Sequence, residues 1–214
     1  MTDLWSKRAA LYRTSAIHAA GEDLDLVVEW CAPAAGVTAL DVATGGGHVA
    51  RRLREAGATV VTLDPAPGMH ADTTAPAEDL PFADASFDVV ACRIAAHHFA
   101  DVQAAVREMA RVAKDRVVVC DNTFISELSE EADRLRDPTH VRNYSVAEWH
   151  VFFEQAGLEV AAEREIERWV EVDGWLERAG CTGADAERVR ELLVHDIVDG
   201  KKRLPTLVLR GVKR

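Results

Sequence analysis

Leu40-Asp41-Val42-Ala43-Thr44-Gly45-Gly46-Gly47-His48-Val49-Ala50 is the stretch on which the fold turns. A β-branched run from Val37 to Val42 stops at three glycines, and a helical pattern follows at His48–Ala56: strand, tight turn, helix. Glycines at such a turn let the backbone approach a ligand and leave helix N–H groups aimed at it. Asp64 lies 19 residues beyond Gly45, where a second run, Ala58–Leu63, ends. A carboxylate there can accept both ribose hydroxyls of a nucleoside. Turn and acid together read as a nucleoside-cofactor site.

Two cofactor classes fit. Gly45-x-Gly47-x-x-Ala50 matches the dinucleotide fingerprint and keeps an NAD(P)-dependent oxidoreductase as an alternative. Asp41 points the other way, because a carboxylate at the strand end suits an ammonium group and would repel a pyrophosphate. Helical patterns at 4–13 and 22–31 also precede the first strand, where a dinucleotide fold usually starts on the strand itself.

Outward from the turn, strands and helices alternate. Phe87–Cys92 and Arg116–Cys120 are continuous apolar runs of the kind buried in a parallel sheet. Helices are expected at 101–112, 126–137, 146–156 and 185–198, with Ser145 and Glu148 forming a capping box on the third. Leu158–Val172 reads as a strand passing into a loop, and Thr206–Val212 as the last strand. This pattern predicts an α/β fold with a doubly wound, mostly parallel sheet. We read one domain over 1–214: N-terminal helices 1–35, a cofactor-binding core 36–121, a helical lid and acceptor region 122–157, and C-terminal strands and helix 158–214.

Composition narrows the function. The 214 residues carry a formal net charge of −11, which disfavours nucleic-acid phosphates as partners. No stretch approaches the roughly 20 apolar residues of a membrane span, and the N-terminus lacks a signal pattern. A cytoplasmic protein is expected, with a homodimer left open. Lys201, Lys202, Arg203, Arg210, Lys213 and Arg214 read as a solvated turn and tail. The four cysteines form no C-x-x-C pair, and no His/Asp/Glu set has metal spacing, so no metal is expected.

The chain resembles class I S-adenosylmethionine-dependent methyltransferases, most closely the UbiE/COQ5-like branch. Asp41-Val42-Ala43-Thr44-Gly45-Gly46-Gly47 matches the first motif, and Asp64 the ribose-binding acid. Ala77-Glu78-Asp79-Leu80-Pro81-Phe82 through Phe87-Asp88 matches the segment entering strand four, and His97-His98-Phe99 the segment leaving it. The resemblance implies a seven-stranded Rossmann-like sheet of order 3-2-1-4-5-7-6, with strand seven antiparallel. It implies S-adenosyl-L-methionine held by Tyr12, Asp41, Ala43, Thr44, Gly45, Gly47, Asp64, Pro65, Ala77, Glu78, Asp79, Leu80 and Arg93. The chain departs from the pattern at Pro76, where the family has an adenine-binding acid or amide. Only 14 positions separate Asp64 from Glu78, so edge strand three is expected to be reduced, leaving six strands.

The expected function is methyl transfer to a small organic acceptor, with a cofactor-binding protein without turnover as the alternative. Methyl transfer needs donor and acceptor in line at about 3–3.5 Å, and a base adds roughly 10²–10⁴-fold where the acceptor loses a proton. His97 and His98 are the candidate bases. An acceptor pocket is expected between them and the His140–Tyr144 loop, with His98, Asn122, His140, Arg142 and Tyr144 as substrate contacts and Tyr144 near the transferred methyl.

Overall fold

A computed structural model of the chain describes residues 2–213. Helices α1 (Thr2–Arg13), α2 (Ala16–Ala19) and α3 (Glu22–Cys31) lead into strand β1 (Thr38–Val42). Helix α4 (His48–Glu55), strand β2 (Thr59–Leu63), strand β3 (Phe87–Arg93), helix α5 (Val102–Val112) and strand β4 (Ala113–Asn122) complete the first half. Then follow α6 (Glu127–Arg136), α7 (Val146–Gln155), β5 (Leu158–Glu171), α8 (Val172–Ala179), α9 (Gly183–Leu192), β6 (Ile197–Val198) and β7 (Lys201–Lys213). No helix among the described residues is long and apolar enough to cross a membrane.

The sheet runs β2-β1-β3-β4-β7-β5, with β6 paired on β7. The first four strands are parallel; β7 is antiparallel to β4 and β5. This is the expected order with strand three removed. A single bridge, Thr73 to Leu63, and a one-turn 3₁₀ segment at Pro67–Met69 are what stand in its place. The prolines of this stretch cannot donate to a ladder, and its length leaves no room for a helix and strand. The seventh strand is the two-residue β6 instead.

Side chains of the parallel strands alternate between two buried layers, as the period of two requires. Leu40, Val90, Val117 and Leu209 pack with Met109, Trp149 and Phe153 on the α5/α7 side. Ala39, Val89, Val118 and Val208 pack with Leu24, Val27 and Leu53 on the α3/α4 side. Full burial stabilises each such Leu or Val by about 1.5–3 kcal/mol. A third cluster joins Ala132, Trp175, Leu176, Val189 and Leu193 to Val170 and Leu204, setting α6, α8 and α9 against the far ends of β5 and β7.

The C-terminal third differs from its reading. The helix expected at 185–198 ends at Leu192, and Asp199 and Gly200, both with positive φ, turn β6 into β7. Positive φ at both central residues is what a two-residue hairpin needs. The expected loop after the fifth strand is α8. Strand β7 starts at Lys201 rather than Thr206 and admits Pro205 because β4 has ended there, at the Asn122–Thr206 pair. The basic group near the end is not all solvated: Lys202 is 0% exposed, with Nζ donating to Asp133 Oδ1 at 2.7 Å and lying over the Trp175 ring. Arg214 lies outside the described residues. All four cysteines are buried and free.

Candidate functional site

The carboxyl ends of β1, β2, β3 and β4 open into a cavity of about 310 Å³. Its floor is the glycine turn. Asp41, 1% exposed, accepts from Thr44 Oγ1 at 2.6 Å and Ala50 N at 3.1 Å, so it ties strand, turn and helix together. Burial pushes its pKa up to about 6, against the pull of those hydrogen bonds. Asp64 stands at the end of β2. Its Oδ2 accepts from Gly45 N at 3.0 Å and its Oδ1 from Ala66 N at 2.9 Å. Burial raises its pKa too. A carboxylate has further lone pairs to offer a diol.

Backbone strain marks the same rim. Ala43 and Ile94, which follow β1 and β3, both have positive φ (53° and 52°) and both line the cavity. A left-handed β-branched residue is a genuine outlier that costs on the order of 1–3 kcal/mol.

Of the expected cofactor residues, Tyr12, Asp41, Ala43, Thr44, Gly45, Asp64, Pro65, Ala77, Glu78 and Arg93 line the cavity. Gly47, Asp79 and Leu80 do not. Gly47 is the left-handed N-cap of α4. Asp79 is exposed, and Leu80 is buried in the core with its N–H donated to Glu108. Glu78 lines the wall, but its Oε1 accepts from Ala100 N. Pro76, Met69 and Phe99 complete an apolar slot beside Pro65.

Gly46 carries a requirement absent from the sequence reading. A Cβ there would meet the Tyr12 carbonyl oxygen at 2.6 Å. A Cβ on Gly68 would meet Ser6 Cα, also at 2.6 Å. Helix α1 thus lies directly on the turn and on the 3₁₀ segment. The His48 Nε2–Tyr12 O contact of 2.9 Å, the Gly68 N–H donated to Ser6 Oγ and the Arg13 bond to Gly68 O hold it there. At its other side Arg8 pairs with Asp137 at 3.0 Å and bonds the Ala179 carbonyl. Trp5 and Tyr12 form the roof.

The histidines after β3 separate into two environments. His97 Nδ1 lies 2.6 Å from Asp121 Oδ1, and its backbone N–H donates to Asp121 Oδ2 at 2.8 Å. Burial works against a charged His97, but the Asp121 carboxylate outweighs it and holds the pKa above the ordinary value. His98 Nδ1 sits 3.0 Å from the Thr139 carbonyl. A carbonyl only accepts, so Nδ1 carries the proton and Nε2 a lone pair. Burial, then the charge of His97, lowers the His98 pKa to about 3.

The expected acceptor loop does not meet the cavity. Arg142 pairs with Glu148 at 2.8 Å and lies over the Tyr144 ring. Tyr144 packs edge-on to Trp149 and Phe152. The reason is local: Tyr144 precedes the N-cap Ser145 and Trp149 is the fourth helical residue, which makes the pair a hydrophobic staple on α7. His140 is buried with Nε2 3.1 Å from Glu130, behind His97, where a space of about 20 Å³ adjoins both. Asn122 does line the main cavity, as expected. The remaining wall comes from residues the sequence reading left out: Arg136 of α6, Trp175 and Arg178 of α8, Arg168 and Val170 of β5, and Leu204 of β7.

Glu130, Asp133 and His140 bring possible metal-ligand atoms within 4.8 Å of one another. Lys202 and Asn143 already bond Asp133, and His140 and Asn143 already bond Glu130, so the group reads as an internal charge network.

Comparison with known proteins agrees with this geometry. A family described as Methyltransferase domain matches residues 40–120. The uncharacterised methyltransferase YcgJ of Bacillus subtilis (strain 168) is 33% identical over 216 residues, covering 89% of this chain and 83% of its own. A demethylmenaquinone methyltransferase of Corynebacterium kroppenstedtii is 36% identical over 99 residues, 42% of this chain and 43% of its own. The crystal structure of YcgJ superposes with a TM-score of 0.80 at 27% identity, over 90% of this chain and 98% of that one. The [4+2]-cyclase SpnF shares the fold alone, with a TM-score of 0.66 at 20% identity over 89% and 79% of the two chains. With the glycine turn, the acid ending β2 and the sheet order in hand, the chain belongs to the class I S-adenosylmethionine-dependent methyltransferases.

Proposed function

We propose that S-adenosylmethionine occupies the β2–β1–β3 half of the cavity and that a small-molecule acceptor occupies the β4–β7–β5 half. The Asp64 carboxylate, braced by the Gly45 N–H and facing the cavity, carries this reading. It has the acceptor capacity for a ribose diol, and the slot of Pro65, Met69, Pro76 and Phe99 suits an adenine ring. Pro76 offers no side-chain partner, so adenine is held by stacking and by backbone near Ala77. Asp41 and Thr44 shape the turn beneath the methionine end. When bound, the cofactor supplies an electrophilic methyl group.

His97 is the proton acceptor in this reading. Asp121 takes its Nδ1–H, fixes the ring and stabilises the charge that forms, while Nε2 is left to accept. His98, neutral and weakly basic, positions the acceptor beside Asn122. Trp5, edge-on to His98 at 4.7 Å, excludes water above it. The cover over the acceptor is α1, α6 and α8, so the expected 122–157 lid contributes through α6, and α1 and α8 add to it.

Thermal melting with S-adenosylmethionine, S-adenosylhomocysteine and NAD in parallel tests the cofactor, since a ligand that binds the folded state raises its stability by mass action. Calorimetry on Asp64→Ala should show at least about tenfold weaker S-adenosylhomocysteine binding, from lost charge-assisted bonds. Unchanged affinity removes Asp64 from the site, and a larger response to NAD favours the oxidoreductase. The alternative of a binder without turnover draws on the missing adenine partner at Pro76. It predicts tight S-adenosylhomocysteine binding that His97→Ala leaves intact, with no acceptor consumed by the wild type.

A further inference from the structure

The two halves of the cavity differ in charge. Asp41 and Asp64 line the β2–β1–β3 half. The opposite half presents Arg136, Arg168 and Arg178. Arg168 reaches Asp23 at 3.3 Å, but Asp23 is already ion-paired with Arg93 at 2.6 Å. Arg136 spends one donor, Nε, on the Trp175 carbonyl, and its guanidinium lies 4.4 Å over the Trp175 ring. Neither Arg136 nor Arg178 has a carboxylate in ion-pair range among the described residues. Arg178 makes no hydrogen bond there at all. The acids facing Arg136 are committed elsewhere, Asp137 to Arg8 and Thr139, Asp133 to Lys202 and Asn143, and the acid acting on Arg178 is its exposed chain neighbour Glu177, outside ion-pair range. Burial lowers the pKa of both arginines, and the charge of Arg136 lowers that of Arg178 further. Guanidinium groups taken from water without a counter-ion are costly and need a partner.

Position separates this pair from Asp41 and Asp64, and Tyr12 of the roof is the expected cofactor residue that faces both arginines. Arg136 ends the helix that follows β4, and Arg178 lies on the helix that follows β5, so both stand over the far half of the sheet. Beneath them Val170, Leu204 and the Trp175 ring offer an apolar surface.

We propose that the methyl acceptor is an anion with an apolar body, its carboxylate or phosphate held between Arg136 and Arg178. Guanidinium forks match both oxyanions in a bidentate manner and fix orientation as well as affinity. Held at that end, the acceptor lies across Leu204 and Val170 and extends toward Asn122 and His97. The proposal rests on the reading of this cavity as the methyl-transfer site.

The test uses calorimetry on the full chain saturated with S-adenosylhomocysteine, with three probes of one shape class: benzoate, phenyl phosphate and benzamide. Either anion should bind and benzamide should not. Preference for benzoate assigns a carboxylate, and preference for phenyl phosphate assigns a phosphate. Arg178→Gln should weaken the preferred anion by roughly tenfold or more, with Arg178→Lys recovering part of the loss. S-adenosylhomocysteine affinity should change less than about twofold in both variants, as for a site outside its contacts. Equal binding of all three probes, or of none, overturns the proposal. So does an Arg178→Gln loss as large for S-adenosylhomocysteine as for the anion, which would give the arginines to the cofactor's own carboxylate. If wild-type protein fails to bind S-adenosylhomocysteine, the cofactor reading fails, and the anion series on the free protein still decides this one.

Discussion

Asp121 grips His97 twice, through Nδ1 at 2.6 Å and through the backbone N–H at 2.8 Å, so ring and main chain are set by one carboxylate. Strand β4 supplies the acid and the turn after β3 supplies the histidine. The parallel pairing of those two strands, with Arg93 opposite Cys120, is what brings them together.

The pair sets a pH signature. With its folded pKa raised above the ordinary histidine value of 6.5, His97 contributes stability that is fully present below pH 6.5 and is lost as pH rises through the folded value. The same titration frees Nε2, so methyl transfer should rise with pH over that window. NMR titration of the His97 ring should show a midpoint above 6.5 in the wild type and a lower one in Asp121→Asn, where only the Asp133 charge still opposes burial. A wild-type midpoint below 6.5 would remove the pairing as the cause. His97→Ala should slow transfer by roughly 10²–10⁴-fold.

Tyr144→Phe should leave cofactor binding and turnover unchanged and stability within about 0.5 kcal/mol, because the ring packs on α7 away from the cavity. Tyr144→Ala, which removes the staple, should cost on the order of 1–2 kcal/mol in a urea melt. A turnover defect in the phenylalanine variant would return Tyr144 to the site.

Gly46→Ala should lift α1. The added Cβ meets backbone atoms of Tyr12 at 2.6 and 2.9 Å, which cannot swing aside as a side chain can. Overpacking of this kind costs about 1–3 kcal/mol. Denaturant melts should report that loss, and calorimetry a weaker S-adenosylhomocysteine complex, since Trp5 and Tyr12 roof the cavity. Full affinity with full stability would show that α1 does not depend on this contact.

Lys202→Met should destabilise strongly, by about 3–5 kcal/mol, because Asp133 is left buried without its ion-paired ammonium. Adding Asp133→Asn should recover most of that, since the amide oxygen can still accept from Asn143. A double variant as unstable as the single would place the energy in Lys202 packing over Trp175 instead.

The cofactor half was legible because its chemistry is local. A strand, a glycine turn and an acid 19 residues on constrain residue type at each position, and the alternation of elements gives a mostly parallel sheet whose order the family resemblance implied. The acceptor half was not, because tertiary packing assembles it. Arg136 and Arg178 lie 42 positions apart and come to line one cavity only when α6 and α8 fold over the sheet, and α8 is two turns hidden behind a charged strand. Two further local signals are present in the sequence. Asp199-Gly200 is a hairpin dipeptide directly after the helix expected over 185–198, and Tyr144-Ser145 with Glu148-Trp149 is a staple around the capping box. Gly46 looked interchangeable with its neighbours because its clash partner is thirty-four residues upstream.

Helix α1 touches the glycine turn at one point and the Asp137–Ala179 corner at another, so it spans both halves of the cavity. Free energy that one ligand gains by ordering this helix is then available to the other, and coupling between two binding events is equal in both directions. The acceptor should tighten the cofactor by the same factor by which the cofactor tightens the acceptor. Severing Arg8 from Asp137 should bring that shared factor toward one while leaving each ligand a site of its own.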